Sequence, residues 1–107
     1  MSTSRLLLLA AAFSLSIAPV ARAADPDGAA IFKTNCAKCH GATGNADTPA
    51  AKALKVPSLH GDANVQKMTA ADVAARIKGN AKHPPAIKGL SQADMDAVAA
   101  YVKTIVK

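Results

Sequence analysis

The chain has 107 residues and a formal net charge of +6, from 13 basic and 7 acidic side chains. Half of its residues are hydrophobic, only 3% are aromatic, and it has no tryptophan. This length excludes more than one domain, and the hydrophobic content excludes a disordered chain. Two cysteines are too few for a small domain held by a disulfide framework. A core with so few large side chains is only marginally stable, so we expect another apolar body to fill the interior.

The first 23 residues predict a signal peptide. A short segment with one basic residue precedes an apolar stretch over residues 6–17, which Pro19 interrupts. Ala21-Arg22-Ala23 then gives the small-x-small pattern of a signal-peptidase site. The apolar stretch is shorter than the ~20 residues that span a bilayer; an uncleaved anchor is the alternative. We therefore expect export to the periplasm, a mature domain over residues 24–107, and no stable membrane anchor.

The mature chain predicts an all-α fold with three main helices and long loops. No segment alternates apolar and polar residues in the way that a strand does. Asp25 and Pro26 predict the N-cap and first residue of a helix that runs toward Cys36. Thr69 and Ser91 are each followed by an aspartate at the third position, a capping pattern that predicts the starts of the other two helices.

Between the first two helices the composition is typical of loops. Residues 41–61 are rich in Gly, Pro, Asn and Asp, with a short helix predicted over residues 49–55. Gly79 is predicted to end the second helix. An apolar stripe gives the last helix an inner face, and it consists of Met95, Val98, Val102 and Ile105.

The strongest chemical signal is the run Cys36-Ala37-Lys38-Cys39-His40. C-x-x-C-H is the attachment sequence of c-type haem. Two thiols at this spacing can reach both vinyl groups of one porphyrin, and the histidine that follows is held under the iron. We therefore predict one covalent haem c, bound through Cys36 and Cys39, with His40 as the proximal iron ligand. Such a haem would also fill the interior.

Two other sites are compatible with a pair of cysteines. A zinc site needs two further ligands, and the remaining histidines, His60 and His83, do not have the spacing of a zinc pair. A thioredoxin-like dithiol needs a βαβ context, which the sequence does not predict.

Over nearly its whole mature length, the chain resembles the class I monohaem c-type cytochromes. Gly28 and Phe32 match the N-terminal helix of that family, and Val98 and Tyr101 match its C-terminal helix. The resemblance implies a cytochrome c fold in which these helices cross, with Gly28 near Val98. It also implies an electron carrier rather than an enzyme.

A second matching segment is Pro57-Ser58-Leu59-His60-Gly61, which resembles the family's Pro-Asn-Leu-His-Gly segment. The resemblance implies that the carbonyl of Pro57 accepts a hydrogen bond from the ring of His40 and so orients this ligand. An ordinary loop proline is the alternative. We expect His60 to be a surface residue.

The chain departs from the family pattern at the sixth iron ligand. The family takes this ligand from a Met-Pro-Ala-aromatic-x-Gly-Leu-Ser stretch, but Pro84 occupies the methionine position here, and His83 precedes it. We predict His83 as the distal ligand, because the loop that carries it must cross the distal face. Met68 and Met95 are alternatives, although each is half of a hydrophobic staple at a helix start. Water or an open site is the remaining alternative.

A surplus of lysines lies in the segments that flank the haem in this architecture. They are Lys33, Lys38, Lys52, Lys55, Lys78, Lys82 and Lys88. They predict a basic rim that docks onto acidic surfaces of redox partner proteins; a solvated surface is the alternative. Nucleic acid is not an expected partner, because the protein is exported and has no base-stacking aromatics.

We therefore expect a monomeric periplasmic protein that carries one electron on its haem. One alternative is a gas sensor or peroxidase-like protein with an open distal site. The other is a haem subunit of a larger oxidoreductase, which would use the same electron chemistry.

Overall fold

The computed structural model describes residues 14–19 and 25–107. Most of the predicted signal peptide, including its cleavage site, lies outside these residues; residues 14–19 have no regular structure and exposed side chains. The described part contains seven helices: α1 (Gly28–Asn35), α2 (Ala37–His40), α3 (Pro49–Leu54), α4 (Ala63–Lys67), α5 (Ala70–Gly79), α6 (Pro85–Lys88) and α7 (Gln92–Ile105). It contains no strand, which confirms the all-α prediction. None of these helices is both long and apolar enough to cross a membrane.

Helices α1 and α7 cross at a glycine, as the resemblance implies. A Cβ atom built on Gly28 would overlap the backbone carbonyl of Ala97 and lie 3.0 Å from the Cβ of Tyr101. One turn later, the buried ring of Phe32 lies with its centroid 5.4 Å from that of Tyr101. The contact of Gly28 therefore falls on Ala97 and Tyr101, which lie together on one side of the fully buried Val98 in the helical wheel.

The start of α1 differs from the prediction. Asp27 is the N-cap instead of Asp25, and its carboxylate accepts hydrogen bonds from the N–H groups of Ala29 and Ala30. Either aspartate can cap a helix. The close contact of Gly28 with α7 decides between them, because it fixes where the first turn lies.

The predicted starts of α5 and α7 are present. Thr69 and Asp72 form both halves of a capping box at α5. At α7 the hydroxyl of Ser91 accepts a hydrogen bond from the N–H of Asp94. The short helix predicted over residues 49–55 is α3, whose N-cap is Thr48.

Besides α2, which follows α1 directly at Cys36, two short helices were not predicted. Asp62 caps α4 through the N–H groups of Asn64 and Val65, and Pro85 is the first residue of α6. Both are too short to display a helical period of apolar residues. Their start signals, an aspartate and a proline, also occur in loops.

The core lies where α1, α5 and α7 meet. Its members are Phe32, Val65, Val73, Ala74, Met95, Val98, Ala99, Val102 and Val106. Burial of these side chains supplies the hydrophobic part of the folding free energy. One face of this cluster is not covered by protein, and it forms part of the wall of a cavity.

The C-terminal end of α7 holds α4 in place. The ammonium group of Lys103 donates to the carbonyls of Val65, at 3.0 Å, and Gln66, at 2.5 Å. The side chain of Gln66 donates in return to the carbonyl of Val106 at 2.7 Å, and the N–H of Gly61 donates to the same carbonyl. Lys103 therefore satisfies carbonyls at the end of a neighbouring helix.

Candidate haem site

A cavity of about 800 Å³ opens beside the core. Core residues of α1 and α7, Phe32, Val98 and Val102, form its floor. Its wall also contains every residue predicted to bind or orient the haem, namely Cys36, Cys39, His40, Pro57, Met68 and His83. Met95, the least favoured alternative ligand, is instead fully buried within the core.

The two cysteines lie where the chain bends from α1 into α2. Cys36 ends α1, because its N–H donates to the carbonyl of Phe32, and its own carbonyl accepts from the N–H of His40. Both thiols are free and partly buried. Burial, followed by the proximity of Cys39, raises the pKa of the Cys36 thiol to about 11. This short turn therefore presents both thiols and the imidazole to one cavity.

His40 has the properties of a metal ligand. Burial, followed by the nearby His83, lowers the pKa of His40 and favours the neutral ring. Its Nδ1 atom is buried and has no hydrogen-bond partner among the described residues. A neutral imidazole binds a metal through one ring nitrogen, and the other nitrogen, here Nδ1, is the one that ordinarily donates to an acceptor outside the metal site. These residues therefore fit a haem.

The bond from His40 to the carbonyl of Pro57 is absent from the described structure, since Nδ1 has no partner. The segment that follows Pro57 is instead tied to the carbonyl of Gly44, which accepts from the N–H groups of Leu59 and His60. Pro57 lies on the cavity wall, and its role in orienting His40 stays a prediction. His60 is exposed, as expected, and its Nδ1 lies 3.2 Å from the carbonyl of Ile105.

His83 faces His40 across the cavity. The centroids of the two rings are 6.2 Å apart, and the ring planes make an angle of 71°. The Nδ1 atom of His83 lies 2.7 Å from the carbonyl oxygen of Ile77. Since a carbonyl can only accept, Nδ1 carries the proton and Nε2 is left free to bind a metal.

Sequence analysis did not identify the part played by Ile77. Its carbonyl belongs to the last turn of α5, where backbone acceptors have no partner within the helix. A histidine a few residues after a predicted helix end is a weak signal for such a cap. Only the structure shows that the chain turns back far enough for the ring to reach this carbonyl.

Met68, the other alternative ligand, has a partner of its own. The guanidinium group of Arg76 donates to the sulfur of Met68 at 3.4 Å. Met68 also packs against the core cluster. Its side chain is thus on the cavity wall, but its sulfur is occupied by a contact within the protein.

Comparisons with known proteins show which family the chain resembles. Residues 23–102 match the family model described as cytochrome C oxidase, cbb3-type, subunit III. Cytochrome c6 of a Synechocystis species is 43% identical over 98 residues, which are 91% of this chain and 78% of the relative. Cytochrome c6 of Cyanidium caldarium is 35% identical over 75 residues, 70% of this chain and 65% of the relative.

The chain belongs to the class I monohaem c-type cytochromes. As a member of this family, the cytochrome is an electron carrier rather than an enzyme, and its cofactor is a covalently attached haem c. When bound, the haem supplies a one-electron redox couple. In the described residues, no group of three or more His, Cys, Asp or Glu side chains converges as a separate metal site.

Proposed function

We propose that this cytochrome is a periplasmic one-electron carrier whose haem iron is bound by His40 and His83. The observation that carries the proposal is the 6.2 Å separation of the two ring centroids. An imidazole nitrogen binds a transition metal at about 2 Å, so two rings that share one metal have centres roughly 6 Å apart. The two histidines therefore stand at the spacing that a shared iron requires.

The protonation states of the two rings support the same assignment. His40 is kept neutral by burial, because its pKa is lowered. The Nδ1–H of His83 donates to the carbonyl of Ile77, which leaves Nε2 as the nitrogen available to the iron. The sulfur of Met68, the alternative ligand, accepts a hydrogen bond from the guanidinium group of Arg76.

A pair of imidazole ligands fits electron transfer. Both ligands remain bound in the oxidised and the reduced state, so little has to move when the charge of the iron changes. A nitrogen ligand in place of a thioether also places the reduction potential below that of a His/Met site, because a thioether stabilises reduced iron. Ligand identity is one of the means by which a protein sets a haem potential.

The lysines support docking onto a redox partner with an acidic surface. Lys55 and Lys82 lie on the cavity wall, and both are exposed. Lys38 and Lys52 are also exposed, on the helices next to the attachment site. A positive rim around the haem attracts an acidic partner and orients it during encounter.

Two alternatives share this electron chemistry and differ only in whether the protein acts alone or within a complex. The predicted signal peptide supports export to the periplasm, which is compatible with both settings. The description of the matched family model, an oxidase subunit, favours a haem subunit of a larger oxidoreductase as the second candidate. Co-purification of the cytochrome with an oxidase from its own membranes would favour the second.

The test of the axial pair is the replacement His83→Ala in the holoprotein. We expect the wild type to be low spin in both oxidation states, because two strong-field imidazoles bind the iron. The variant should be high spin and should bind carbon monoxide when reduced, because the sixth position is open. Visible absorption spectra of the oxidised and reduced proteins measure both properties.

Two control variants keep this test specific. Met68→Leu and His60→Ala should both leave the low-spin spectrum unchanged, since neither residue is assigned to the iron. A His83→Ala protein that stays low spin would assign the sixth ligand to another residue, Met68 first. A wild type that binds carbon monoxide readily when reduced would support the open-site sensor.

A further inference from the structure

The four residues that follow α5 form a tight turn that ends at His83. The side-chain oxygen of Asn80 accepts a hydrogen bond from the N–H of Lys82 at 2.9 Å. The backbone carbonyl of Asn80 accepts from the N–H of His83 at 3.1 Å. Asparagine favours such turns because its side chain can replace a backbone acceptor.

The ring of His83 is fixed separately from its backbone. Its Nδ1–H donates to the carbonyl of Ile77, in the last turn of α5. A ring that is held at Cα by the turn and at Nδ1 by a helix carbonyl cannot rotate freely about its side-chain bonds. In this orientation its plane makes an angle of 71° with the plane of His40.

We propose that Asn80 is a positioning residue which, together with the carbonyl of Ile77, holds the plane of His83 nearly perpendicular to that of His40. The proposal rests on the assignment of both histidines to the iron. Hydrogen bonds of this kind orient metal ligands and select their tautomer. Here they also set the angle between the two axial rings.

The angle between the rings has a measurable electronic consequence. Parallel imidazole planes split the iron d orbitals that overlap with the ring π systems, whereas perpendicular planes leave these orbitals nearly equal in energy. In the low-spin ferric state, perpendicular rings give a highly anisotropic electron paramagnetic resonance signal at low field. Parallel rings give an ordinary rhombic signal with three resolved features.

The first experiment is the electron paramagnetic resonance spectrum of the ferric wild-type holoprotein in frozen solution. We expect the highly anisotropic low-field signal. A rhombic spectrum would overturn the inference, since it would show that the rings are parallel. This measurement needs no variant and therefore does not depend on the folding of one.

The second experiment compares three substitutions in the same holoprotein. Asn80→Ala removes the acceptor of the Lys82 N–H, so the protein should stay low spin while most of the anisotropic signal converts to a rhombic one. Asn80→Asp keeps a side-chain oxygen and should retain the wild-type signal. Asn64→Ala, a control at another asparagine on the cavity wall, should also retain it. An unchanged signal in Asn80→Ala would overturn the role of Asn80.

The inference and the proposed function fail in different ways. A wild type that is high spin, or that shows the far-red charge-transfer band of thioether ligation, contradicts the assignment of His83 to the iron and the inference with it. A low-spin wild type without this band, but with a rhombic spectrum, leaves the axial pair intact and contradicts only the perpendicular arrangement.

Discussion

Gly28 is the residue at which the first and last main helices come closest, and even one methyl group there meets backbone atoms. The carbonyl of Ala97 lies where a Cβ would be, and a backbone carbonyl cannot turn aside as a side chain can. We expect Gly28→Ala to destabilise the holoprotein by roughly 1–3 kcal/mol through overpacking. Thermal unfolding followed by circular dichroism measures this effect.

Gly79, at the end of α5, provides the matched control. A Cβ built there has nothing within 4 Å, so Gly79→Ala should change the stability by less than about 1 kcal/mol, toward greater stability. Equal melting of the two variants would show that α1 and α7 are not in close contact at Gly28.

Single residues differ in how well the sequence predicts their part in the site. Spacing alone places Cys36, Cys39 and His40 together, because they belong to one turn of chain. The approach of His83 to His40 depends on the path of a loop, and here the prediction drew on a family resemblance. The contribution of Ile77 comes from its backbone carbonyl, which no side-chain pattern can indicate.

Among the elements, α5 has the most complete start signal. The hydroxyl of Thr69 accepts the N–H of Asp72 at 3.1 Å, and the carboxylate of Asp72 accepts the N–H of Thr69 at 3.2 Å. Thr69→Ala removes the first of these bonds and should destabilise the protein by about 1 kcal/mol. Chemical denaturation at neutral pH measures the difference.

The same capping box gives a pH dependence of known sign. Hydrogen bonds from Thr69, first from its hydroxyl and then from its backbone, lower the pKa of Asp72. A lowered folded-state pKa contributes stability above the unfolded-state pKa, and this contribution is lost as the pH falls through the folded value. Asp72→Asn should therefore unfold with a weaker acid dependence than the wild type. Asp94→Asn in α7 is the control, and an equal effect there would contradict the assignment to the box.

Two of the unpredicted helices, α4 and α6, show what a sequence pattern cannot supply. Helices α5 and α7 are long enough for apolar residues to recur with the helical period. The periodicity and the capping residues therefore predict the same helices. Helices α4 and α6 contain 5 and 4 residues, and each buries one side chain, Val65 or Ile87. Their helical form depends on tertiary contacts, such as those of Lys103 with the end of α4.

For the whole molecule, the cavity of about 800 Å³ is large compared with the small core that lines one side of it. Without an occupant, the apolar wall of the cavity would be exposed to water. A domain of this size is only marginally stable, so this exposure would prevent stable folding. We expect the double variant Cys36→Ala, Cys39→Ala to lack covalent haem and to show no cooperative thermal transition. Mass spectrometry and circular dichroism test the two parts, and a helical apoprotein that melts cooperatively would contradict the second.

The bonds between the end of α7 and α4 also imply an order of assembly. Lys103 and Gln66 make contacts across 38 and 40 residues of chain, and α1 packs on α7 across most of the described sequence. Closing such long loops has an entropic cost that later contacts must offset. The cysteines that accept the haem occur early in the chain, whereas the residues that close the domain are synthesised later. The attachment turn can therefore emerge and receive its cofactor while the cavity is still open.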